Sequence, residues 1–308
     1  MTPDDLATAN GAALQAEADQ AALGAAAAAG VVVRNLDALA DLEAAIALFD
    51  EIWERSTGHS TIRLDLLRAM TTAGNYASGA YDRASGQLVG ACVGFFGPPS
   101  HAELHSHIAG VVPAALGRSV GFALKVHQRA WCLRHGVRVV AWTFDPLIRR
   151  NAYFNLVKLG ARAAAYLPNF YGVMHDAINS GTETDRMLVH WDLGAAAAAD
   201  ASAGRPRPAS FAAERDRGAA VALSAGADGG PVPGVATAAS GTETFLVAVP
   251  GDVEALRLTD AALAAAWRTA LRGALAPLMS GGARITGFDR GGWYVVSTEG
   301  MHDEADRG

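Results

Sequence analysis

The chain has 308 residues, of which 51% are hydrophobic and 18% are charged, and its formal net charge is −6. This length is enough for one large domain or two modest domains with a sizeable core. The acidic balance argues against nucleic-acid binding, which needs a basic face. No stretch reaches the roughly 18 strongly apolar residues of a membrane span, and no basic segment followed by an apolar one begins the chain. We therefore expect a cytoplasmic protein with neither nucleic acid nor membrane among its partners.

The composition divides the chain into four segments. Residues 1–30 are rich in Ala, Asp, Glu and Gln without a bulky anchor, which predicts a disordered or frayed tail. Residues 31–193 alternate predicted strands and helices in a mixed α/β architecture. Residues 194–243 are rich in Ala, Gly, Pro and Ser and are predicted to be a linker. Residues 244–300 predict a small β-α-β-β extension that packs on the main sheet, where it covers a sheet edge or mediates a homodimer.

Hydrophobic periodicity and turn residues predict the elements in chain order. Between residues 31 and 193 the order is strand 31–34, helices 36–53 and 63–71, strands 76–81, 87–96 and 104–112, helix 122–135, strand 137–144, helix 150–159 and strand 187–193. In the C-terminal extension the same signals predict strand 244–249, helix 260–278 and a hairpin of strands 284–289 and 293–297.

The two cysteines are predicted to be buried free thiols. Cys92 lies in an apolar strand-like run and Cys132 in a helix-like run. Free cysteine behaves as a small hydrophobic residue, and two cysteines so placed indicate neither a disulfide framework nor a metal cluster.

A turn that begins a helix carries the strongest functional signal. Val111, Val112 and Pro113 end a predicted strand, and the chain then turns through residues 117–121 into the helix. The first N–H groups of a helix have no intrahelical partner, and the helix dipole adds positive potential at that end. The sequence therefore predicts a site for an anionic group such as a pyrophosphate.

This stretch resembles the acyl-CoA-binding core of the GNAT (Gcn5-related N-acetyltransferase) superfamily. The family pattern is V-x-P, two residues, Arg or Gln, two residues, Gly, one residue, then Gly or Ala. Val111, Pro113 and Gly121 match it, whereas Leu116 stands in the Arg or Gln position and Ser119 in the first Gly position. The Cβ of Ser119 lies where the pyrophosphate would approach the backbone.

The resemblance continues along most of the chain. The runs A-W-T-F-D-P-L at 141–147, R-R-N-A-Y-F-N at 149–155 and K-L-G-A at 158–161 are similar to those of uncharacterised bacterial proteins predicted to be GNAT acetyltransferases. The similarity covers about residues 31 to 300. It implies the GNAT fold, a mixed central sheet with splayed strands flanked by helices, together with a C-terminal extension.

The family implies an acyl-CoA-dependent N-acyltransferase that transfers an acetyl or other acyl group to a small amine within a ternary complex. Acetyl-CoA or another acyl-CoA is then the co-substrate, and no metal is predicted. The thioester would be oriented by the strand around Gly110. The cofactor-binding residues implied by the resemblance are Gly110, Val111, Val112, Gly117, Arg118, Ser119, Val120, Gly121 and Asn151, the last of which is alternatively a helix cap.

Three residues on the strand before the turn are candidates for the base that accepts the proton of the amine: Glu103, His105 and His107. The two histidines alternate with Ser106 and so lie on one face of the strand. The alternatives are that they are polar residues of a half-exposed strand, or that they bind a metal with Asp145 as third ligand.

Many family members protonate the departing thiolate with a tyrosine at the position that Leu156 occupies here. Tyr153 and Tyr171 are substitutes by residue type, although either residue also suits the core or rim. Asp145, at the end of a predicted strand, is a candidate anchor for the ammonium of the acceptor, and Asn169 is a second substrate-binding candidate. Both have structural alternatives in turns.

Two other functions remain open. The substitutions at Leu116, Ser119 and Leu156 suit a GNAT fold that has diverged to another reaction, on a small acid or with another acyl carrier. They also suit a non-catalytic protein that binds CoA or a metabolite.

Overall fold

A seven-stranded mixed sheet contains the strands of the first two thirds of the chain. The structure is a computed structural model that describes residues 3–53, 61–172, 183–234 and 243–298, with the backbone alone for residues 3–9. The strand order is β1-β2-β3-β4-β5-β7-β6. These strands are β1 (Val31–Asn35), β2 (Ala77–Asp82), β3 (Leu88–Phe96), β4 (Glu103–Val111), β5 (Val139–Phe144), β6 (Arg162–Leu167) and β7 (Arg186–Asp192).

A five-stranded sheet follows in the chain, in the order β11-β12-β10-β8-β9. Its strands are β8 (Ala220–Ala225), β9 (Pro231–Pro233), β10 (Thr244–Ala248), β11 (Arg284–Asp289) and β12 (Trp293–Ser297). The helices of the described chain are α1 (Pro3–Ala28), α2 (Leu39–Ile52), α3 (Leu64–Thr72), α4 (Val120–Arg134), α5 (Arg149–Ala152), α6 (Ala196–Ser202), α7 (Phe211–Asp216), α8 (Val253–Thr259) and α9 (Ala261–Ser280). None of these helices is both long enough and apolar enough to cross a bilayer.

The chain divides into two units. The first comprises residues up to Trp142 together with Trp191–Arg205, and the second comprises Thr143–His190 and residues from Pro206 onward. In the first unit, α2 and α3 cover one face of β2 and β3 around the buried Phe49 and Val93. In the second unit, α9 packs against β8 and β10 and buries Trp267.

The parallel pairing of β4 with β5 is short. Glu103 pairs with Val139 and His105 with Ala141, and these two strands, both described along their full length, share no pair beyond that point. The opposite edge of β4 stays paired with β3 as far as Val111. The predicted fold, a mixed sheet with splayed strands flanked by helices, is therefore confirmed. Cys92 and Cys132 are buried free thiols, as predicted.

The structure differs from the predicted tail at residues 1–30. Within them, Pro3–Ala28 form α1, which packs against α4. Glu17 forms two hydrogen bonds with the buried guanidinium of Arg129, at 2.7 and 3.0 Å, and Gln15 donates to the carbonyl of Ala130. The segment has no bulky anchor, but small alanines allow close approach of two helices, and the buried Arg129 of α4 supplies the anchor.

Two further predictions need correction. The predicted linker, residues 194–243, contains α6, α7, β8 and β9, and β8 pairs in parallel with β10 of the predicted extension. The predicted helix 150–159 consists of α5 followed by a π-helical segment, Tyr153–Lys158. Strand β6 was not predicted, because its central run of alanines lacks the β-branched residues that indicate a strand.

We expect Glu17→Ala to lower the free energy of unfolding by about 2 kcal/mol, because it leaves the buried guanidinium of Arg129 without its carboxylate. Chemical denaturation measures the change. Glu43→Ala, at an exposed position of α2, is the matched control and should change stability by less than about 0.5 kcal/mol. Equal stability of the two variants would show that the Glu17–Arg129 pair does not contribute to the free energy of unfolding.

Candidate functional site

The free edge of β4 is the first feature of the site. Beyond His105 the backbone of β4 has β3 on one side and, among the described residues, no strand partner on the other, over Ser106–Val111; we call this stretch the free edge. A strand edge without a partner presents N–H and C=O groups that can pair with another extended molecule. Gly110, a predicted cofactor-binding residue, lies on this edge. A side chain at Gly110 would collide with Ile52, at 2.7 Å from the added Cβ, so glycine keeps the backbone close to α2.

A β-bulge interrupts β4 beside this edge. Val93 pairs with Ile108 and Gly94 with Ser106, so His107 has no residue opposite it on β3. The bulge changes the alternation of the strand: Ser106 points to α4, and Ile108, two residues later, packs in the cluster under α2. Bulges of this kind redirect side chains and are frequent next to active sites.

His105 and His107 lie on the same side of β4, as predicted. Their ring centroids are 6.3 Å apart, and both rings contact Phe95 of β3, at 5.0 and 5.8 Å. Burial lowers the pKa of His105 below its ordinary value, as does the charge of His107, while Glu103 opposes the shift. Burial also lowers the pKa of His107. Both imidazoles are therefore mostly neutral at pH 7, the state in which a nitrogen can accept a proton.

The turn after β4 has a left-handed backbone at two positions. A 3₁₀ turn, Pro113–Ala115, leads through Gly117 (φ +81°) to Ser119 (φ +65°), and α4 begins at Val120. The side chain of Ser119 does not cap α4. The N–H groups of the first helical turn, including that of Gly121, have no intrahelical acceptor and converge at the end of the helix. Glycine favours the left-handed conformation, so Ser119 holds it at a cost of about 1 kcal/mol.

Arg118, a predicted cofactor-binding residue, forms an ion pair next to the turn. Its guanidinium donates to a carboxylate oxygen of Asp82 at 2.6 Å and to the carbonyl of Ala29 at 3.3 Å. The hydrogen bond from Arg118 holds the pKa of Asp82 well below its ordinary value, with backbone N–H donors contributing. Arg118 thus connects the turn before α4 with the β2–β3 turn and with the end of α1.

A buried lysine beneath β4 was missed by the sequence analysis. Lys125 of α4 is 4% exposed, and its ammonium donates to Ser106 at 3.1 Å. It also lies over the indole of Trp142, 3.8 Å from the ring centroid. The available signal was a single charged residue within the otherwise apolar run A-L-K-V of a predicted helix.

Asp145 does not fit its predicted role as an anchor for an ammonium group. In the second unit its carboxylate is buried and accepts hydrogen bonds from Arg257 and from both terminal nitrogens of Arg268. The N–H of Leu147 donates to the same carboxylate. Burial alone would raise the pKa of Asp145, but the hydrogen bonds and charges of the two arginines outweigh it and hold the pKa at about 2. The carboxylate is thus fully engaged within the protein.

The two asparagines have structural surroundings. Asn151 is the third residue of α5, whose N-cap is Ile148, so the predicted cap role is wrong. Asn169 adopts φ +45°; its side-chain oxygen accepts from the N–H of Thr184, and its own N–H donates to Asp185. These contacts make Asn169 a turn residue.

The two candidate tyrosines lie in different parts of the second unit. Tyr153 is half-buried at the start of the π-helical segment, with the guanidinium of Arg290 5.9 Å from its ring. Tyr171 is exposed, its hydroxyl lies 3.2 Å from that of Thr143, and Arg186 approaches its ring at 5.4 Å. No group of three or more His, Cys, Asp or Glu side chains within the described ranges is arranged to hold a metal ion.

Several solved structures are similar to this chain. An N-acetyltransferase from Staphylococcus aureus Mu50 matches with 14% identity over 53% of this chain and 98% of its own, at a TM-score of 0.44. A ribosomal-protein-alanine N-acetyltransferase from Brucella melitensis matches with 16% identity over 52% and 99%, at 0.44. A GCN5-related N-acetyltransferase from Kribbella flavida matches with 20% identity over 53% and 98%, at 0.41. No family model and no curated protein matches the sequence.

We expect Ser119→Gly to raise the free energy of unfolding by up to about 1 kcal/mol, because glycine adopts a positive φ without strain. Ala114→Gly, in the same turn but without a positive φ, should instead lower it by roughly 0.5 kcal/mol. Urea denaturation of the two variants measures both signs. A loss of stability in Ser119→Gly would contradict the strained conformation.

Asp145→Asn should lower the free energy of unfolding at pH 7 by about 3 kcal/mol, because it leaves two buried guanidinium groups without their carboxylate. The folded-state pKa of Asp145 lies below its unfolded value. The stabilisation is therefore complete above about pH 4 and is lost as the pH falls towards about 2. Denaturation curves should accordingly converge with those of the wild type in acid. Asp216→Asn, at an exposed position of α7, is the control, and its difference in stability from the wild type should not change over this pH range.

Proposed function

We propose that this protein is an acyl-CoA-dependent N-acyltransferase that acts on a small amine. The single observation that supports the proposal most is the free edge of β4, which leads directly into the turn at residues 112–121. An extended arm containing amide groups can pair with such an edge, and a diphosphate at the end of that arm can accept from the N–H groups that begin α4. The sequence resemblance implies acyl-CoA, which has both an amide-containing arm and a diphosphate.

The residues present fit acyl-CoA through their backbones. Gly110, Val111 and Val112 would hold the amide-containing arm, and residues 117–121 would hold the diphosphate. The Cβ of Ser119 narrows the turn, but its N–H remains available. A Cβ added at Gly121 would lie 3.7 Å from Val111, an ordinary contact distance, so the backbone at Gly121 is not crowded. When bound, acyl-CoA supplies an acyl group activated as a thioester.

The protein would then hold the amine beside this edge and remove its proton. His105 is the last β4 residue that pairs with β5, and His107 is the bulged residue just beyond it. Both are mostly neutral at pH 7 because burial lowers the pKa of each. Either imidazole could accept the proton, with Glu103 at the start of the same strand. Tyr153 and Tyr171 stay our candidates for protonation of the thiolate. Alignment of two substrates along one strand would contribute much of the rate.

Binding is tested first, by thermal unfolding with acetyl-CoA and with CoA. A ligand present at a hundred times its Kd stabilises the folded state by about 2.7 kcal/mol. A shift with either ligand together with thiol release from acetyl-CoA in a panel of small amines is the expected result. A shift without thiol release from any amine would favour a binding protein, and no shift at millimolar ligand would favour an enzyme that does not use CoA.

We expect His105→Ala to lower kcat about 100-fold with a much smaller effect on the Kd of acetyl-CoA, because a general base acts on the reaction and not on binding. The wild-type rate should rise with pH through a pKa below 6.5, the ordinary histidine value, and then level off. His101→Ala, in the exposed 3₁₀ turn before β4, is the matched control. Equal losses of rate and affinity in His105→Ala would instead indicate a structural histidine. The same comparison applied to His107→Ala and Glu103→Gln decides between the three candidates.

A further inference from the structure

The ammonium group of Lys125 lies at the fork where β4 and β5 separate. The last pair of the two strands joins His105 and Ala141, so Ser106 and Trp142 are the first residues beyond it. Lys125 contacts both: its Nζ is 3.1 Å from the hydroxyl of Ser106 and 3.8 Å from the ring centroid of Trp142. A second indole, that of Trp191 at the end of β7, lies 5.6 Å away.

Lys125 and three polar side chains around its ammonium form a closed ring. Lys125 donates to Ser106 and, at 2.5 Å, to the side-chain oxygen of Gln128. The amide nitrogen of Gln128 donates to Cys92, whose sulfur lies 3.8 Å from the hydroxyl of Ser106. The ring therefore joins α4 to β3 and β4. All four residues are buried.

A charge at this position is costly. Lys125 is 4% exposed, and its described contacts are neutral oxygens and aromatic rings. Burial of an ammonium costs several kcal/mol unless its surroundings compensate, and a methionine would fill the same space without that cost. A cation over an indole, however, gains an attraction that an apolar side chain cannot supply. The charge thus connects the two strands at the point where their hydrogen bonds end.

We propose that Lys125 is a positioning residue that fixes the separation of β4 and β5 beyond His105, and thereby the shape of the free β4 edge that receives the acyl-CoA arm. Its hydrogen bond orients Ser106, the residue between His105 and His107. Its contact with Trp142 holds the first residue of β5 beyond the last pair with β4. The part that concerns the ligand depends on the proposed function, whereas the part that concerns the fork does not.

The protonation state of Lys125 provides a means of testing this role. Burial lowers the pKa of Lys125 to about 8, although Cys92 and Cys132 oppose the shift. Burial raises the pKa of both thiols above the ordinary cysteine value. His105 titrates at lower pH. The groups that surround the ammonium are Cys92 on β3, His105 and Ser106 on β4, Gln128 and Cys132 on α4, Trp142 on β5 and Trp191 on β7.

Loss of the proton from Lys125 should weaken its attraction to the indole of Trp142, so that the separation of β4 and β5 is less firmly fixed. We therefore expect the affinity of the wild type for acetyl-CoA to fall at least threefold between pH 7 and pH 9.5. Lys125→Arg, whose guanidinium stays charged in this range, should keep its affinity constant. Lys125→Met should bind at least tenfold more weakly than the wild type at pH 7 and show no change with pH. Lys158→Met, at an exposed lysine of the π-helical segment, is the matched control and should follow the wild type.

Two measurements without ligand test the role of Lys125 at the fork independently of the proposed function. Tryptophan fluorescence of the wild type should show a transition near pH 8 that is absent from Lys125→Met and from Trp142→Phe. The folded-state pKa of Lys125 lies below its unfolded value of 10.5, so stability relative to Lys125→Met should rise as the pH increases from about 8 to 10.5. The thermal midpoints of the two proteins over this range measure that difference.

The outcomes are distinct. If acetyl-CoA does not bind the wild type at any pH, the proposed function fails and the ligand part of this inference fails with it. Absence of the fluorescence transition in the wild type would overturn the fork part. If the transition is present but the affinity of the wild type for acetyl-CoA does not change with pH, Lys125 is a structural residue and the positioning role is wrong. Should Lys125→Met not fold, the comparison of wild type with Lys125→Arg decides in the same way.

Discussion

The early end of the β4–β5 pairing is the constraint on which the rest of the first unit depends. Because β3 pairs with the opposite edge of β4 as far as Val111, β4 remains a strand although β5 does not pair with its other edge beyond His105. That free edge runs without interruption into the turn that begins α4. The bulge at His107 and the glycine at position 110 adjust the same few residues, so backbone irregularities and unpaired groups concentrate at one place.

Two buried charges, those of Asp145 and Lys125, are stabilised in opposite ways. In the second unit, Asp145 is surrounded by Arg257 and Arg268, and the gain in charge-assisted hydrogen bonds holds the carboxylate ionised despite its burial. In the first unit, the described contacts of Lys125 are an indole face and neutral oxygens, and its pKa falls towards neutrality. The first arrangement stays charged at any physiological pH, whereas the second can change its charge near pH 8.

The sequence was most informative where a pattern is local. The hairpin of β11 and β12 was predicted at its observed limits, because alternating apolar residues flank a glycine turn. It was least informative where a role depends on distant partners. Asp145 looked available at a strand end, but its arginines lie 112 and 123 residues further along the chain. Alanine-rich segments were also misjudged, since α1 packs against α4 and β6 against α9, partners that the alanines themselves do not indicate. The bulge at His107 left no trace in the pattern of residues.

Helix α4 connects the two halves of the site in the first unit. It begins at Val120, directly after the left-handed Ser119, and carries Lys125 five residues later, a rise of about 7.5 Å along its axis. The N–H groups at its first turn and the ammonium at the fork are therefore fixed to one rigid element. Under the proposed function, the helix that would bind the diphosphate at its first turn also contacts both separated strands through Lys125, so the turn and the β4 edge would be positioned together.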